Sequence, residues 1–258
     1  MKESQKPGSG AGAAFDVPSP FTLHPSPFVA SGILPRVIHL GSIGGTSIDL
    51  DFSFLILVAF FVFFRLDAQQ NIAQALMWAP ILFISVLIHE LAHAGTIGLF
   101  GYGSSHIVLT GYGGVTINGR RAKAWQDMLI SFAGPAASVV LAFAIWGLIQ
   151  SAPRAMADPM LRAMLPALIY ANAFWAILNL IPVSPLDGGH VVRNFFRIFL
   201  SERLAFTISV WIGMVVGAAC VAACLFLRQF FIALFLAFYV WRNFQLWREF
   251  QKSGMTGE

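Results

Sequence analysis

Two histidines and a glutamate lie inside an otherwise apolar stretch of the sequence, FISVLIHELAHAGTIGLF. In HELAH, His89 and His93 are four residues apart, and Glu90 follows His89 directly. Residues four apart on a helix share one face, so both imidazoles can bind the same metal ion. Glu90 can then reach a water molecule beside the metal and act as a general acid and base without being a ligand. A charged side chain within a membrane costs on the order of 3 kcal/mol, so this cluster indicates a functional site.

A third metal ligand is predicted farther along the chain. Catalytic zinc usually has three protein ligands and one open position. Of the 12 acidic residues, Asp187 in NLIPVSPLDGG is the one that we expect to reach the interior of a helical bundle. Pro182 and Pro185 end the preceding helix, and Gly188 and Gly189 permit a tight turn that directs the carboxylate inward. The sequence therefore predicts one Zn2+ per chain.

The remaining histidines and the two cysteines are weaker candidates. His190 follows Asp187 by three residues, and we expect it beside the site or facing solvent. His106 lies in a glycine-rich segment, and His24 and His39 precede the first long apolar run. The cysteines, Cys220 and Cys224, lie four apart in an apolar run, which is typical of packing residues.

The composition is typical of a membrane protein. Apolar residues make up 57% of the chain, charged residues make up 11%, and the mean hydropathy is +0.74. Ordinary soluble domains have roughly 25% charged residues. The net charge of +4 is too small to indicate a nucleic-acid partner, so we expect none, and we expect the chain to lie in a lipid bilayer.

The apolar runs predict an all-α polytopic membrane protein with about six transmembrane helices. A helix needs about 20 apolar residues to cross a bilayer. By that measure the first run is short and the last is the least apolar. The predicted spans are 52–66, 72–100, 125–149, 164–183, 204–227 and 230–247.

The distribution of positive charge predicts the orientation in the membrane. Six spans leave seven segments outside the bilayer, and 12 of the 16 Lys and Arg residues fall in the odd-numbered segments. Because cytoplasmic segments are enriched in Lys and Arg, both termini are predicted to be cytoplasmic. We expect a multi-pass protein of the cell (inner) membrane.

Two shorter segments have patterns of their own. Residues 101–120, GYGSSHIVLTGYGGVTINGR, alternate β-formers with glycines and predict a small β-hairpin or sheet after the second helix, while TSIDLDF predicts a strand before the first span. Residues 190–201, HVVRNFFRIFLS, predict an amphipathic helix at the membrane interface. In the hairpin, Gly111, Gly113 and Gly114 permit another backbone to approach closely.

The composition changes along the chain and predicts four regions. Residues 1–38, rich in Gly, Pro, Ser and Ala, are predicted to be a flexible arm without a cleavable signal peptide. Residues 39–200 are predicted to form an intramembrane core, residues 201–250 a C-terminal transmembrane helical hairpin, and residues 251–258 a tail.

These motifs together resemble the site-2 protease family, the zinc metalloproteases that cleave within the membrane. The resemblance rests on HELAH, on NLIPVSPLDGG and on FAGPAAS at residues 132–138, and it covers roughly residues 40–200. Ser138 stands where many members carry asparagine. Many members also have PDZ or CBS domains. This chain has no room for either, so it is expected to resemble a bare catalytic core.

The resemblance implies a role for each matching residue. It implies that His89, His93 and Asp187 bind zinc and that Glu90 is the catalytic acid and base. It implies that Asn179 lies near the active site, with either a direct role toward the substrate or a hydrogen bond between helices. It also implies that a hairpin strand pairs with an extended substrate beside Gly111, Gly113 and Gly114.

The predicted activity is endopeptidase cleavage of transmembrane segments in single-span proteins, as in regulated intramembrane proteolysis. Two alternatives remain from the sequence, a metal-ion transporter and an inactive metal-binding scaffold. A transporter does not need a glutamate next to the first histidine, and the outer half of the second span, IAQALMWAPILF, offers only Gln74 as a polar residue. The intact motifs argue against a scaffold. The oligomeric state is not indicated.

Overall fold

A computed structural model describes residues 37–64, 72–119 and 122–255. The arm predicted over residues 1–38 lies outside this description except for Val37 and Ile38, which begin the first strand. The strands are β1 (Val37–Ile43), β2 (Thr46–Asp51), β3 (Ser105–Thr110) and β4 (Gly113–Asn118). The helices are α1 (Phe52–Phe64), α2 (Ile72–Leu76), α3 (Trp78–Leu99), α4 (Ala124–Ser151), α5 (Pro159–Leu180), α6 (Asp187–Phe199), α7 (Glu202–Phe226) and α8 (Phe230–Met255).

The predicted class, a helical membrane protein with a small sheet, is confirmed. Within the described ranges, five helical segments are long and apolar enough to cross a membrane: Ile72–Leu99, Ala124–Ser151, Pro159–Leu180, Glu202–Phe226 and Phe230–Lys252. The first predicted span corresponds to α1, which has only 13 residues and is therefore about 20 Å long. That length is below the roughly 30 Å of a hydrocarbon core, so α1 is a short apolar helix.

The fourth predicted span, 164–183, is displaced toward the N-terminus in the structure, where α5 runs from Pro159 to Leu180. The carboxylate of Asp158 accepts hydrogen bonds from the backbone N–H groups of Met160 and Leu161 and caps the helix. Pro159 occupies the first turn, where a missing N–H has no cost. At the other end, the residue before Pro182 is restricted to extended geometry, which stops the helix.

The predicted hairpin, β3 and β4, belongs to a larger sheet with the order β1-β2-β3-β4. The β1–β2 and β3–β4 pairs are antiparallel, and β2 and β3 are parallel. Since β2 precedes α1 and β3 follows α3, the helices between them form the crossover that parallel strands require. One face of the sheet packs on the helices through a core that contains Ile48, Leu50, Phe54, Val86, Ala94, Ile107, Leu109 and Trp175.

The predicted amphipathic helix is present as α6, and its polar face is turned toward the protein. Arg193 and Asn194 are buried, whereas Phe195 and Phe199 are exposed. Arg193 and Arg197 both form ion pairs with Glu202 at the start of α7. The apolar face of α6 is therefore the one left for lipid.

Candidate active site

The HELAH segment forms part of the buried face of α3. His89, Glu90 and His93 are 1%, 4% and 6% exposed. The centroids of the two imidazole rings are 4.9 Å apart, as expected for side chains one helical turn apart. Both imidazoles can therefore bind a single metal ion.

Asp187, at the start of α6, meets both imidazoles. Its Oδ2 lies 2.9 Å from Nε2 of His89, and its Oδ1 lies 3.5 Å from Nε2 of His93. The ligating atoms of the three residues all lie within 4.8 Å of one another. Ligands of tetrahedral zinc at about 2.0–2.1 Å are about 3.3 Å apart, so these separations fit a zinc ion.

Helix α4 holds the other ring nitrogen of each histidine. Nδ1 of His93 lies 2.6 Å from the carbonyl oxygen of Ile130, and Nδ1 of His89 lies 3.2 Å from Oγ of Ser138. A carbonyl oxygen only accepts, so Nδ1 of His93 carries the proton and its Nε2 is left as a ligand. Such hydrogen bonds fix the tautomer and the ring orientation of metal-binding histidines.

A glycine of α4 permits this close packing. A Cβ atom on Gly134 would lie 2.3 Å from Nε2 of His93 and 2.6 Å from Nε2 of His89. Both distances are well below van der Waals contact, so only glycine fits beside the two ligating nitrogens. Gly134 belongs to the FAGPAAS motif, and its place in the structure explains the need for a small residue there.

The carboxylate of Glu90 lies under strand β4. The hydroxyl of Thr116 lies 2.7 Å from Oε2 of Glu90 and donates a hydrogen bond to it. A Cβ atom on Gly114 would lie 2.2 Å from Cγ of Glu90, so the strand backbone covers this side chain closely. Strand β4 thus holds the Glu90 carboxylate on one side. Helix α3 keeps Glu90 next to His89.

The other predicted substrate residues are Asn179 on α5, Gly111 between β3 and β4, and Gly113 at the start of β4, and they contact other parts of the protein. Nδ2 of Asn179 donates a hydrogen bond to the carbonyl oxygen of Trp175, one turn earlier in α5. A Cβ on Gly111 would clash with the backbone oxygen of Ser53, and one on Gly113 would clash with the Trp175 ring. In this structure the close approach permitted at Gly111 is therefore made by the protein's own backbone.

His39 and His106, two of the weaker candidates for metal ligands, form a separate cluster on the sheet. Asp49 on β2 accepts hydrogen bonds from Nδ1 of His39 at 2.7 Å and from Nε2 of His106 at 2.8 Å. Burial alone raises the pKa of Asp49, but the two histidines outweigh it and hold that pKa below its ordinary value. His190 is partly buried on α6, and His24 lies outside the described residues.

Sequence reasoning missed several polar residues around the site. Thr116 had no distinguishing signal, because a threonine in a strand is ordinary. Asn172 had one, since a polar side chain in a membrane-spanning helix is unusual. It is fully buried and donates a hydrogen bond to Oγ of Ser85, one turn before His89. Asn243 on α8, also buried, contacts the loop that carries Asp187.

Residues 147–223 match the model of peptidase family M50. The matched segment includes Asp187 and its loop. It ends before α8 and does not reach back to HELAH.

Several curated proteins are similar to this chain. The putative zinc metalloprotease Rip3 of Mycobacterium tuberculosis is 30% identical over 177 residues, which cover 61% of this chain and 43% of the relative. A zinc metalloprotease of Methanocaldococcus jannaschii is 28% identical over 185 residues, which cover 70% of this chain and 50% of that protein. The chain thus spans about half the length of these relatives, or slightly less.

A solved structure shares the fold. The site-2 protease from Methanocaldococcus jannaschii superimposes with a TM-score of 0.55 at 22% identity, covering 80% of this chain and 94% of that one. The structural likeness shows the fold, and the sequence matches come from proteins named as zinc metalloproteases. This multi-pass membrane chain therefore has the fold of that site-2 protease, and its sequence is similar to zinc metalloproteases and, over residues 147–223, to peptidase family M50.

Proposed function

We propose that this chain is an intramembrane zinc metalloendopeptidase that hydrolyses peptide bonds in the membrane segments of single-span proteins. The observation that carries the proposal is the convergence of three ligating atoms, from His89, His93 and Asp187, beside the buried carboxylate of Glu90. Two imidazoles and one carboxylate are the donor set of a catalytic zinc site with an open position.

We assign zinc to this site, one ion per chain. The ligand atoms have suitable separations, and the Nδ1 atoms of both histidines are engaged by α4, which leaves each Nε2 for the metal. When bound, zinc polarises the substrate carbonyl and lowers the pKa of water toward about 7. The positive charge of zinc would also offset the negative charge of Asp187, which explains how a carboxylate is tolerated inside a membrane protein.

Glu90 is the proposed general acid and base. It accepts the proton of the attacking water molecule at its carboxylate and later delivers that proton to the amine nitrogen that leaves. Thr116 restricts the rotation of the carboxylate by binding Oε2, which leaves Oε1 as the oxygen that exchanges the proton. The short distance to Gly114 leaves the carboxylate little space to move away.

The proposed substrate is an extended segment unwound from a transmembrane helix. A helical substrate hides its carbonyl groups in hydrogen bonds, and its freed backbone needs new partners within the membrane. In the described part of the chain, β4 is the last strand of the sheet and pairs with no strand other than β3, so strand addition would occur at its other edge. The same strand holds Glu90 through Thr116, which supports an approach of substrate along β4, with Asn179 as a further candidate contact.

The proposed cellular setting follows from charge and hydropathy. We place the protein in the cell (inner) membrane with both termini in the cytoplasm, as the Lys and Arg distribution favours. The substrate would then be cut as part of regulated intramembrane proteolysis.

The test compares the wild-type chain with Glu90→Gln, both purified in detergent and reconstituted in vesicles with a single-span peptide. We expect both to contain one zinc per chain and only the wild type to cleave, because the amide keeps the shape of Glu90 but does not accept the proton. Peptide products are measured by mass spectrometry, and zinc is measured by elemental analysis.

Three controls make the result decisive. A chelator should abolish cleavage by the wild type and added zinc should restore it, while His93→Ala should lose both zinc and cleavage. Full cleavage by Glu90→Gln would contradict the role of Glu90. Wild-type protein that binds zinc, leaves the peptide intact and moves zinc across the vesicle membrane would instead support a transporter.

A further inference from the structure

The C-terminal helix α8 holds the loop that precedes Asp187. Asn243 of α8 is 1% exposed, and its Nδ2 donates hydrogen bonds to the carbonyl oxygen of Ser184 at 2.6 Å and to that of Tyr239 at 2.8 Å. Its Oδ1 accepts a longer hydrogen bond, 3.4 Å, from the backbone N–H of Ser184. One side chain therefore satisfies both polar backbone groups of a single loop residue.

We call the two hydrogen bonds between Asn243 and the backbone of Ser184 the clamp. It holds backbone that belongs to no helix or strand. Ser184 lies in the connection between α5 and α6, where backbone groups do not pair within a regular element. Unpaired backbone groups are costly within a membrane protein, so irregular segments need side-chain partners. Within the described residues, Asn243 supplies this partner from an element that is distant in sequence.

Small residues allow the surrounding helices to approach the same loop. A Cβ atom on Gly213 of α7 would lie 2.7 Å from the carbonyl oxygen of Pro182. A Cβ atom on Gly189 of α6 would lie 2.7 Å from the backbone nitrogen of Ser184. The loop is thus in close contact with α7, α8 and the first turn of α6.

The clamp is connected to Asp187 through short backbone links. The N–H of Leu186 donates a 2.8 Å hydrogen bond to the carbonyl oxygen of Val183, and the N–H of Gly189 donates a 3.0 Å hydrogen bond to Leu186. Asp187 lies between these bonds and three residues after Ser184. Because these links are short, we expect a shift at Ser184 to move the Asp187 carboxylate.

We infer that Asn243 is a positioning residue for the metal site, which it serves by fixing the loop that presents Asp187. This inference rests on the proposed zinc site. It gives the C-terminal helical hairpin a role in catalysis, and it concerns a residue beyond the segment matched to peptidase family M50. Loss of the clamp should weaken zinc binding more than a packing defect of similar size does.

The experiment measures zinc affinity of the purified full-length chain by competition with a chelating dye, together with the visible absorption of the Co2+-loaded protein. The variants are Asn243→Asp, which keeps the shape but sets a carboxylate against the Ser184 carbonyl, and Asn243→Ala, which removes both hydrogen bonds to Ser184. The control is Leu236→Ala, because Leu236 is buried on the same helix and packs near Val183 and Leu186.

We expect both Asn243 variants to weaken zinc affinity by about tenfold or more and to alter the Co2+ bands, while Leu236→Ala stays within about threefold of the wild type with an unaltered spectrum. Wild-type affinity and spectrum in both Asn243 variants would overturn the inference and leave the proposed function intact. An equal loss in Leu236→Ala would also overturn it, since the effect would then be one of packing. Wild-type chain that binds no metal would overturn both proposals. If a variant is partly unfolded, the Co2+ spectrum of its folded fraction tests the inference: altered bands support it, and wild-type bands overturn it.

Discussion

Thr116 on β4 donates a 2.7 Å hydrogen bond to Oε2 of Glu90 on α3, although 26 residues separate them in the chain. This contact joins the edge strand β4 to the carboxylate proposed as the general base. Any substrate that pairs with β4 would therefore be aligned with Glu90 by the strand itself. Besides the proposed pairing with substrate, β4 would then hold the proposed catalytic side chain in place.

Replacing Thr116 tests that role. In Thr116→Val the side chain keeps its shape but loses the hydroxyl, and a hydrogen bond to a charged group contributes roughly 1.5–3 kcal/mol, so we expect cleavage to fall by about tenfold or more. Zinc content should stay at the wild-type level, because Thr116 contacts no proposed ligand. Thr116→Ser retains the hydroxyl and should restore most of the activity. Equal kcat in the valine and serine variants would refute the assignment.

Gly134 is predicted to be essential for metal binding. A methyl group at this position would lie within 2.6 Å of both Nε2 atoms, so Gly134→Ala should displace one or both imidazoles and lower zinc affinity by about a hundredfold, the upper end of the range seen for residues that orient ligands. Zinc affinity of the purified protein measures this directly.

The matched control lies on the same helix. Gly147 is also on α4, and a Cβ there would contact nothing within 4 Å apart from its chain neighbours and the nearby backbone of its own helix. Gly147→Ala should therefore bind zinc as the wild type does. If Gly134→Ala also bound zinc normally, the packing of α4 against the two histidines would not be what orients them.

The Asp49 cluster should make a pH-dependent contribution to stability. Burial raises the pKa of Asp49, but hydrogen bonds from His39 and His106 outweigh burial and lower that pKa below its ordinary value of 3.8. A carboxylate whose pKa is lower in the folded state stabilises the fold above its ordinary pKa, and this stabilisation is lost as pH falls through the folded value. Asp49→Asn should thus lower the Tm at neutral pH.

The difference in Tm between wild type and Asp49→Asn should shrink as the pH falls below 3.8, which thermal unfolding in detergent can follow. Asp158→Asn is the control, because asparagine caps a helix as well as aspartate does and should leave the Tm unchanged. A difference that stays constant down to the lowest pH would show that the charge of Asp49 contributes nothing.

The local parts of the site could be predicted from the sequence because their geometry is set within one element. The spacing of His89 and His93 places both on one face of any helix, and the apolar stretch around them makes a helix the expected structure. The hairpin at residues 101–120 was also predictable, since alternating β-formers and glycines have few other stable structures. The amphipathic pattern of α6 predicted a helix, but not that its arginines would turn inward to Glu202.

Span boundaries were less predictable where capping competes with hydropathy. Asp158 and Pro159 start α5 five residues before the predicted span, and Pro182 ends it earlier than the apolar run does. Hydropathy alone contains neither kind of information.

The sequence by itself determined that this is a membrane protein, that two histidines and a glutamate share one helical face, and that a proline- and glycine-rich loop carries an aspartate. Only the tertiary structure decided that Asp187 meets those histidines, that Thr116 holds Glu90, and that Asn243 clamps the loop. The physical reason is the distance along the sequence between the residues that interact. Helical periodicity and turn preference depend on neighbouring residues, whereas contacts between residues 26 to 98 positions apart depend on how whole helices and strands pack.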